Sequence, residues 1–195
     1  MTSTAIEHCL SSFQGHHLIA SGQPAEVALA TRGVIDAGSD EPVLVFNDTT
    51  GEQIELDLRG TAEEISTRYQ EADAAQPPAA PRRPGRPKLG VVAREVTLLP
   101  RHWEWLSTQP GGASVALRKL VEQARRDNAA NDRVRQAREA AYRFMSAMAG
   151  NLPGFEEASR ALFASDAPRF AELTQSWPPD VRDHCMKLAA PAFDR

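Results

Sequence analysis

Prolines at 77, 78, 81, 84 and 87 fall within eleven residues, in the run Pro77-Pro-Ala-Ala-Pro-Arg-Arg-Pro-Gly-Arg-Pro-Lys88. No helix or central strand can cross such a segment, because each ring fixes φ and removes a backbone donor. The 195-residue chain is therefore cut into a leading and a trailing part, joined by an extended connection. Residues 73–81 are mostly Ala, Pro and Gln, while Arg82, Arg83, Arg86 and Lys88 place four cations at the far end of the connection. Held extended, those cations can follow a line of phosphates. They equally suit a solvated linker, so their surroundings must decide.

Charge is segregated along the chain. Residues 1–80 carry 13 acids and 3 bases, residues 81–145 carry 14 bases and 6 acids, and the remainder carries 5 bases and 7 acids. The overall charge of -4 thus conceals a leading part at -10 and a centre at +8. A basic centre favours an anionic partner, which the acidic leading part would repel unless that part folds back. Cys9 and Cys185 lie far apart without a pairing pattern, as expected in a reducing compartment. No run of about 18 apolar residues is present, and the first residues lack the regions of a signal peptide. The expectation is a cytoplasmic protein without membrane insertion, associated with the nucleoid if it binds DNA.

The hydrophobic pattern predicts an α+β chain. Residues 1–72 read as a small acidic mixed domain. Cys9 to Phe13 and Leu18 to Ala20 form one hairpin around Gly15, and a helix starts at Pro24 with Val27, Leu29, Val34 and Ile35 as its apolar face. A second hairpin runs from Val43-Leu44-Val45-Phe46 through Asn47-Asp48-Thr49-Thr50-Gly51 to Ile54, Leu56 and Leu58, with Glu55 and Asp57 toward water. Thr61 and Glu64 have the spacing of a reciprocal helix cap. Residues 73–90 are the basic linker. Over 91–127 the order is a strand from Val91 stopped by Pro100, a helix sharing Trp103 and Leu106, a turn at Gly111-Gly112, and a helix capped by Ser114. That helix has Leu117, Leu120, Val121 and Ala124 as one buried stripe. Residues 128–195 form further helices, first one with Val134, Ala137, Ala141, Met145 and Met148 in register up to Gly150-Asn151-Leu152-Pro153, then shorter pieces over 154–164, 167–176 and 179–189.

The strand, helix, glycine turn and helix of residues 93–126 resemble the ribbon-helix-helix repressors, whose two chains pair strands into a ribbon that enters the major groove. The resemblance implies a homodimer, with Val96 and Leu98 in the core and Ala93, Glu95 and Thr97 toward DNA. Ser114 and its neighbouring amides would hold a phosphate, with Arg118 and Lys119 on the flank. Glu95 can accept from a cytosine amino group but repels the phosphate backbone. Gly85-Arg86-Pro87, flanked by Arg82, Arg83 and Lys88, resembles a minor-groove hook in which arginine enters A·T-rich tracts. In the usual form an arginine directly precedes the glycine, whereas here Pro84 separates Arg83 from Gly85. The wider chain is similar to an uncharacterised bacterial protein family, a resemblance that implies no activity.

Other chemistry finds little purchase. Asp48-Thr49-Thr50-Gly51 is similar to the Asp-Thr-Gly of aspartic proteases except for one extra threonine, and a hairpin loop with glycine at positive φ accounts for the same residues. His8, Cys9, His16 and His17 match no closed zinc pattern, and His184-Cys185 lies too far along the chain to complete one. The Arg82 to Arg86 spacing also fits an element of cyclic-dinucleotide receptors, without its companion motif. No nucleophile elbow, phosphate loop or dinucleotide fingerprint occurs, so neither catalysis nor a cofactor is expected. The leading expectation is a dimeric double-stranded-DNA-binding regulator or architectural factor using residues 82–126. The alternative is a protein-interaction module, which uses the leading domain or the helical tail and does not bind DNA.

Overall fold

A computed structural model describes residues 9–38, 40–74 and 94–194 of the chain. Among these residues it contains four strands and seven helices, a mixed α+β composition that is mostly helical. They belong to two compact units, residues 1–76 with 132–195, and residues 77–131.

In the first unit, β1 (Leu10–Gln14), β2 (His17–Gly22), β3 (Val43–Asn47) and β4 (Gln53–Ile54) form an antiparallel sheet in the order β2-β1-β3-β4. Both expected hairpins are present, but the return strand of the second ends at Ile54, short of the expected Leu56 and Leu58. The register pairs Ser11 with Phe46, Ser12 with Val45 and Phe13 with Leu44. Alternation therefore sends Phe13, Leu44 and Phe46 to one face, and Leu10 and Val45 to the other. The second face meets α1 (Pro24–Asp36) in a small core of Leu10, Val27 and Val45. Here α1 buries Val27, Ala28 and Thr31, while Ile35 is about half exposed. The expected face was off by part of a turn, because a contact with a small sheet selects few positions. Beyond β4, α2 (Ala62–Ala74) opens with the anticipated cap: the Thr61 N–H donates to Glu64 Oε2 at 2.8 Å, and the Glu64 N–H to Thr61 Oγ1 at 3.3 Å.

The first sheet face is covered by segments more than ninety residues further along. Phe13 and Phe46 share a core with Ala141, Phe144, Met145 and Met148 of α4 (Gly112–Ala149), and with Val181, Cys185 and Leu188 of α7 (Pro179–Phe193). Phe144 lies 5.3 Å from Phe13 and 4.9 Å from Phe46 between ring centroids. Residues 1–72, expected to stand as a domain of their own, thus share this core with residues 132–194. Two large rings on one face of a four-stranded sheet need a cover that the first 72 residues do not supply. Between α4 and α7, α5 (Phe155–Ala164) and α6 (Ala167–Thr174) follow the expected spans closely, and Trp177 Nε1 donates to the Pro153 carbonyl at 2.9 Å.

In the second unit α3 (Pro100–Ser107) starts at Pro100, and Gly111 and Gly112 both take positive φ, as the glycine turn requires. Two expectations change here. Residues 94–99 adopt no strand, since a ladder needs a neighbour and they pair with none among the described residues. The two helices expected either side of residue 128 are one 38-residue helix, α4, because Asp127 to Asp132 contains neither proline nor glycine to stop it.

Candidate functional site

The cations and polar groups anticipated to meet DNA fall into two sets. Arg82, Arg83, Gly85, Arg86, Lys88 and Ala93 lie outside the described residues. Glu95 and Thr97 are exposed in the irregular segment before α3. Ser114 does not cap α4, which begins at Gly112. It sits in the first turn, and its carbonyl accepts from Arg118 Nε at 3.1 Å. Arg118 is therefore one turn beyond Ser114, with Lys119 beside it, both exposed. Arg125 and Arg126 extend the basic run and approach Glu122 at 3.8 and 3.4 Å. Exposed pairs of this kind are worth little and leave the arginines available to an anion. An open surface along α4 is lined by Val115, Arg118, Lys119, Glu122, Gln123 and Arg126.

The same stretch leaves apolar groups uncovered. Leu106 and Ala116 are buried, but Val96, Leu99, Trp103, Trp105, Leu120 and Val121 are between 42% and 64% exposed. The stripe expected to be buried, Leu117 to Ala124, is mostly in solvent. Leu117 is half-buried, whereas Leu120, Val121 and Ala124 are exposed, although the spacing is that of an interior face.

A second cluster lies in the first unit, around Asp48 of the loop that resembles Asp-Thr-Gly and His184, which the sequence offered only separately. The β3–β4 loop is tightly organised: Asn47 Oδ1 accepts from the Thr49 and Thr50 N–H groups at 2.8 and 3.2 Å, and the Gly51 N–H donates to the Asn47 carbonyl at 2.8 Å. Gly51 has φ +67°, the glycine-favouring turn anticipated for this loop. Arg143 Nη1 donates to the Thr50 carbonyl at 2.9 Å. Asp48, its side chain 7% exposed, receives Lys187 Nζ at 2.7 Å. His184 Nε2 stands 3.4 Å from Asp48 Oδ1, near enough for attraction but not aligned as a hydrogen bond. Ser11 and Ser21 complete the cluster, their hydroxyls 2.9 Å apart, with Lys187 Nζ 3.4 Å from Ser21.

Carboxylate, imidazole and hydroxyl together invite a catalytic reading, but the surroundings are closed. The His184 ring centroid is 4.5 Å from that of Phe144 and 5.3 Å from that of Phe13, and only 5% of the residue is exposed. This arrangement fastens the loop to α7. The pairing was hidden by the separation of Asp48 and His184 in sequence. One signal was present: two residues after Phe46, an extended chain returns to the same sheet face, so Asp48 is directed to the face that Phe46 buries.

Burial alone would push the Asp48 carboxyl up, but His184, Lys187 and Ser11 outweigh it and hold the group below the ordinary aspartate range. A carboxyl lowered on folding stabilises the fold above its unfolded value near 3.8, and that contribution is lost as pH falls through the folded value. Asp48→Asn is therefore expected to be less stable than the parent at neutral pH, with the difference narrowing in acid below about pH 4. Chemical denaturation over a pH series measures this, and a constant difference between the two proteins would contradict it. Asp57 is also held low, by side-chain and backbone hydrogen bonds with Arg59. Burial pushes the Cys185 thiol up, which suits a core role.

Among the described residues no group of three or more histidine, cysteine or acidic side chains is placed to hold a metal ion, and no helix is long and apolar enough to cross a membrane. No curated protein and no solved structure matches the chain. A family model described as "Uncharacterized protein conserved in bacteria (DUF2239)" matches residues 9–189, a span that holds the sheet, the linker and all seven helices almost to the end of α7. The chain belongs to that bacterial family of unknown function.

Proposed function

We propose that the protein binds double-stranded DNA as a dimer, as a transcriptional regulator or architectural factor of the bacterial nucleoid. The observation that carries this reading is the exposed basic run Arg118, Lys119, Arg125 and Arg126 on α4, in the same stretch of chain as the cations of the linker. Arg82, Arg83, Arg86 and Lys88 supply phosphate and minor-groove contacts, with Gly85 allowing the backbone to approach the groove floor. Glu95 and Thr97 face the major groove in a ribbon made with the second chain, and Ser114, Arg118 and Lys119 hold the flank.

Titration into labelled random and A·T-rich duplexes at several salt concentrations tests the reading. Log affinity is expected to fall linearly with log salt, by about 0.9 per phosphate contact, with preference for A·T-rich duplexes. Arg86→Ala should weaken binding most on the A·T-rich duplex. The double change Arg118→Ala with Lys119→Ala should reduce the slope by roughly two on every sequence. No binding at about 50 mM salt, where nonspecific attraction is strong, would overturn the proposal. The exposed Trp103 and Trp105 favour one second reading, a protein-interaction module. A pull-down that recovers one stoichiometric protein after nuclease treatment would select it.

A further inference from the structure

The uncovered stripe on α4 has a repeat that its exposure alone does not reveal. Leu117, Val121, Ala124, Asn128 and Asn131 are separated by four, three, four and three residues, the spacing of alternating d and a positions in a heptad. Val121 and Asn128 take the a positions, while Leu117, Ala124 and Asn131 take the d positions. Leu120 lies beside the seam and is 48% exposed, and Val121 on the seam is 64% exposed. A β-branched residue at a and leucine at d favour two parallel strands, and an asparagine at a fixes their register.

We propose that α4 pairs with α4 of a second copy of this chain, parallel and in register, through Leu117 to Asn131. The proposal deepens the dimeric reading above by naming its surface. Asn128 singles out the occupant. Its Nδ2 donates to the Ala124 carbonyl at 2.8 Å, and the amide has a second N–H and an Oδ1 to offer. An identical amide directly opposite satisfies that donor and acceptor reciprocally, which a parallel in-register copy supplies and an arbitrary apolar surface does not. With only about two heptads, the contact belongs among small, reversible interfaces below about 1,200 Å².

Sedimentation of the full chain without DNA is expected to show a concentration-dependent monomer–dimer equilibrium. Val121→Glu abolishes it and, as a change at an exposed position, leaves the circular dichroism of the monomer intact. Asn128→Val, which removes the buried polar pair, tightens association by roughly tenfold or more. In a Cys9→Ser background, Asn128→Cys forms an interchain disulfide on mild oxidation, and Arg126→Cys, on the opposite face of the helix, does not. A chain that stays monomeric at the highest attainable concentration overturns the proposal. So does a dimer that Val121→Glu leaves intact, or one in which Arg126→Cys crosslinks as well as Asn128→Cys. Because DNA is absent throughout, failure of the DNA titration leaves these results standing, whereas DNA binding by a chain that stays monomeric would overturn this pairing and the dimeric part of that reading alone.

Discussion

Gly51→Ala is expected to destabilise the protein by about 3–5 kcal/mol, enough to prevent many domains of this size from folding. Two costs combine. The residue has φ +67°, where an L side chain is strained by about 1–2 kcal/mol. A Cβ there would also stand 2.6 Å from the Ala140 carbonyl carbon and 2.7 Å from its Cα, and these are backbone atoms of α4 that cannot rotate aside. Gly38→Ala separates the two costs, because Gly38 has φ +79° with nothing within 4 Å of an added Cβ. It should lose only about 1–2 kcal/mol. Urea denaturation of both variants measures the difference, and equal losses would show that the loop does not need its close approach to α4.

Phe144→Ala should cost about 3–5 kcal/mol by removing a fully buried ring and leaving a cavity. Its position explains why the upper part of that range is expected. The ring touches Phe13 and Phe46 of the sheet and His184 of α7, so no one neighbour can relax into the space without abandoning another. Amide exchange should accelerate in β1 and α7 together if the three elements open as one unit. Faster exchange confined to α4 would mean that the sheet and α7 hold each other without the ring.

Legibility in the sequence followed the range of the interaction. The two hairpins, the Thr61–Glu64 cap, the proline start of α3 and the spans of α5 to α7 were readable, since each rests on residues within a few positions of one another. The seam of α4 was recognised as a stripe but expected to be buried, because spacing specifies an interior face and not which molecule covers it. Continuity of α4 was missed because its apolar positions change face between Ala124 and Val134, which imitates the start of a new helix. The Asp48–His184–Lys187 cluster was legible only in part: alternation from Phe46 directs Asp48 to the buried face, but nothing names its partners. Neither the aspartate in its hairpin loop nor the histidine in a terminal helix carries a local mark of the other. Within the set proposed to face DNA, side-chain types and spacing named the cations, but the ribbon that would unite them requires a second chain.

The fastening of the β3–β4 loop sets an order on folding. Thr50 is held by Arg143, 93 residues later, and Asp48 by Lys187, 139 residues later. Contacts of that sequence separation must wait for loop closure and slow the approach to the native state. During synthesis the wait is longer still. At bacterial elongation rates the sheet leaves the ribosome on the order of ten seconds before α7, with Phe13 and Phe46 still without their cover. Over that interval the half-made protein leaves an aromatic sheet face without its cover, so the nascent chain is more prone to aggregation than the finished one.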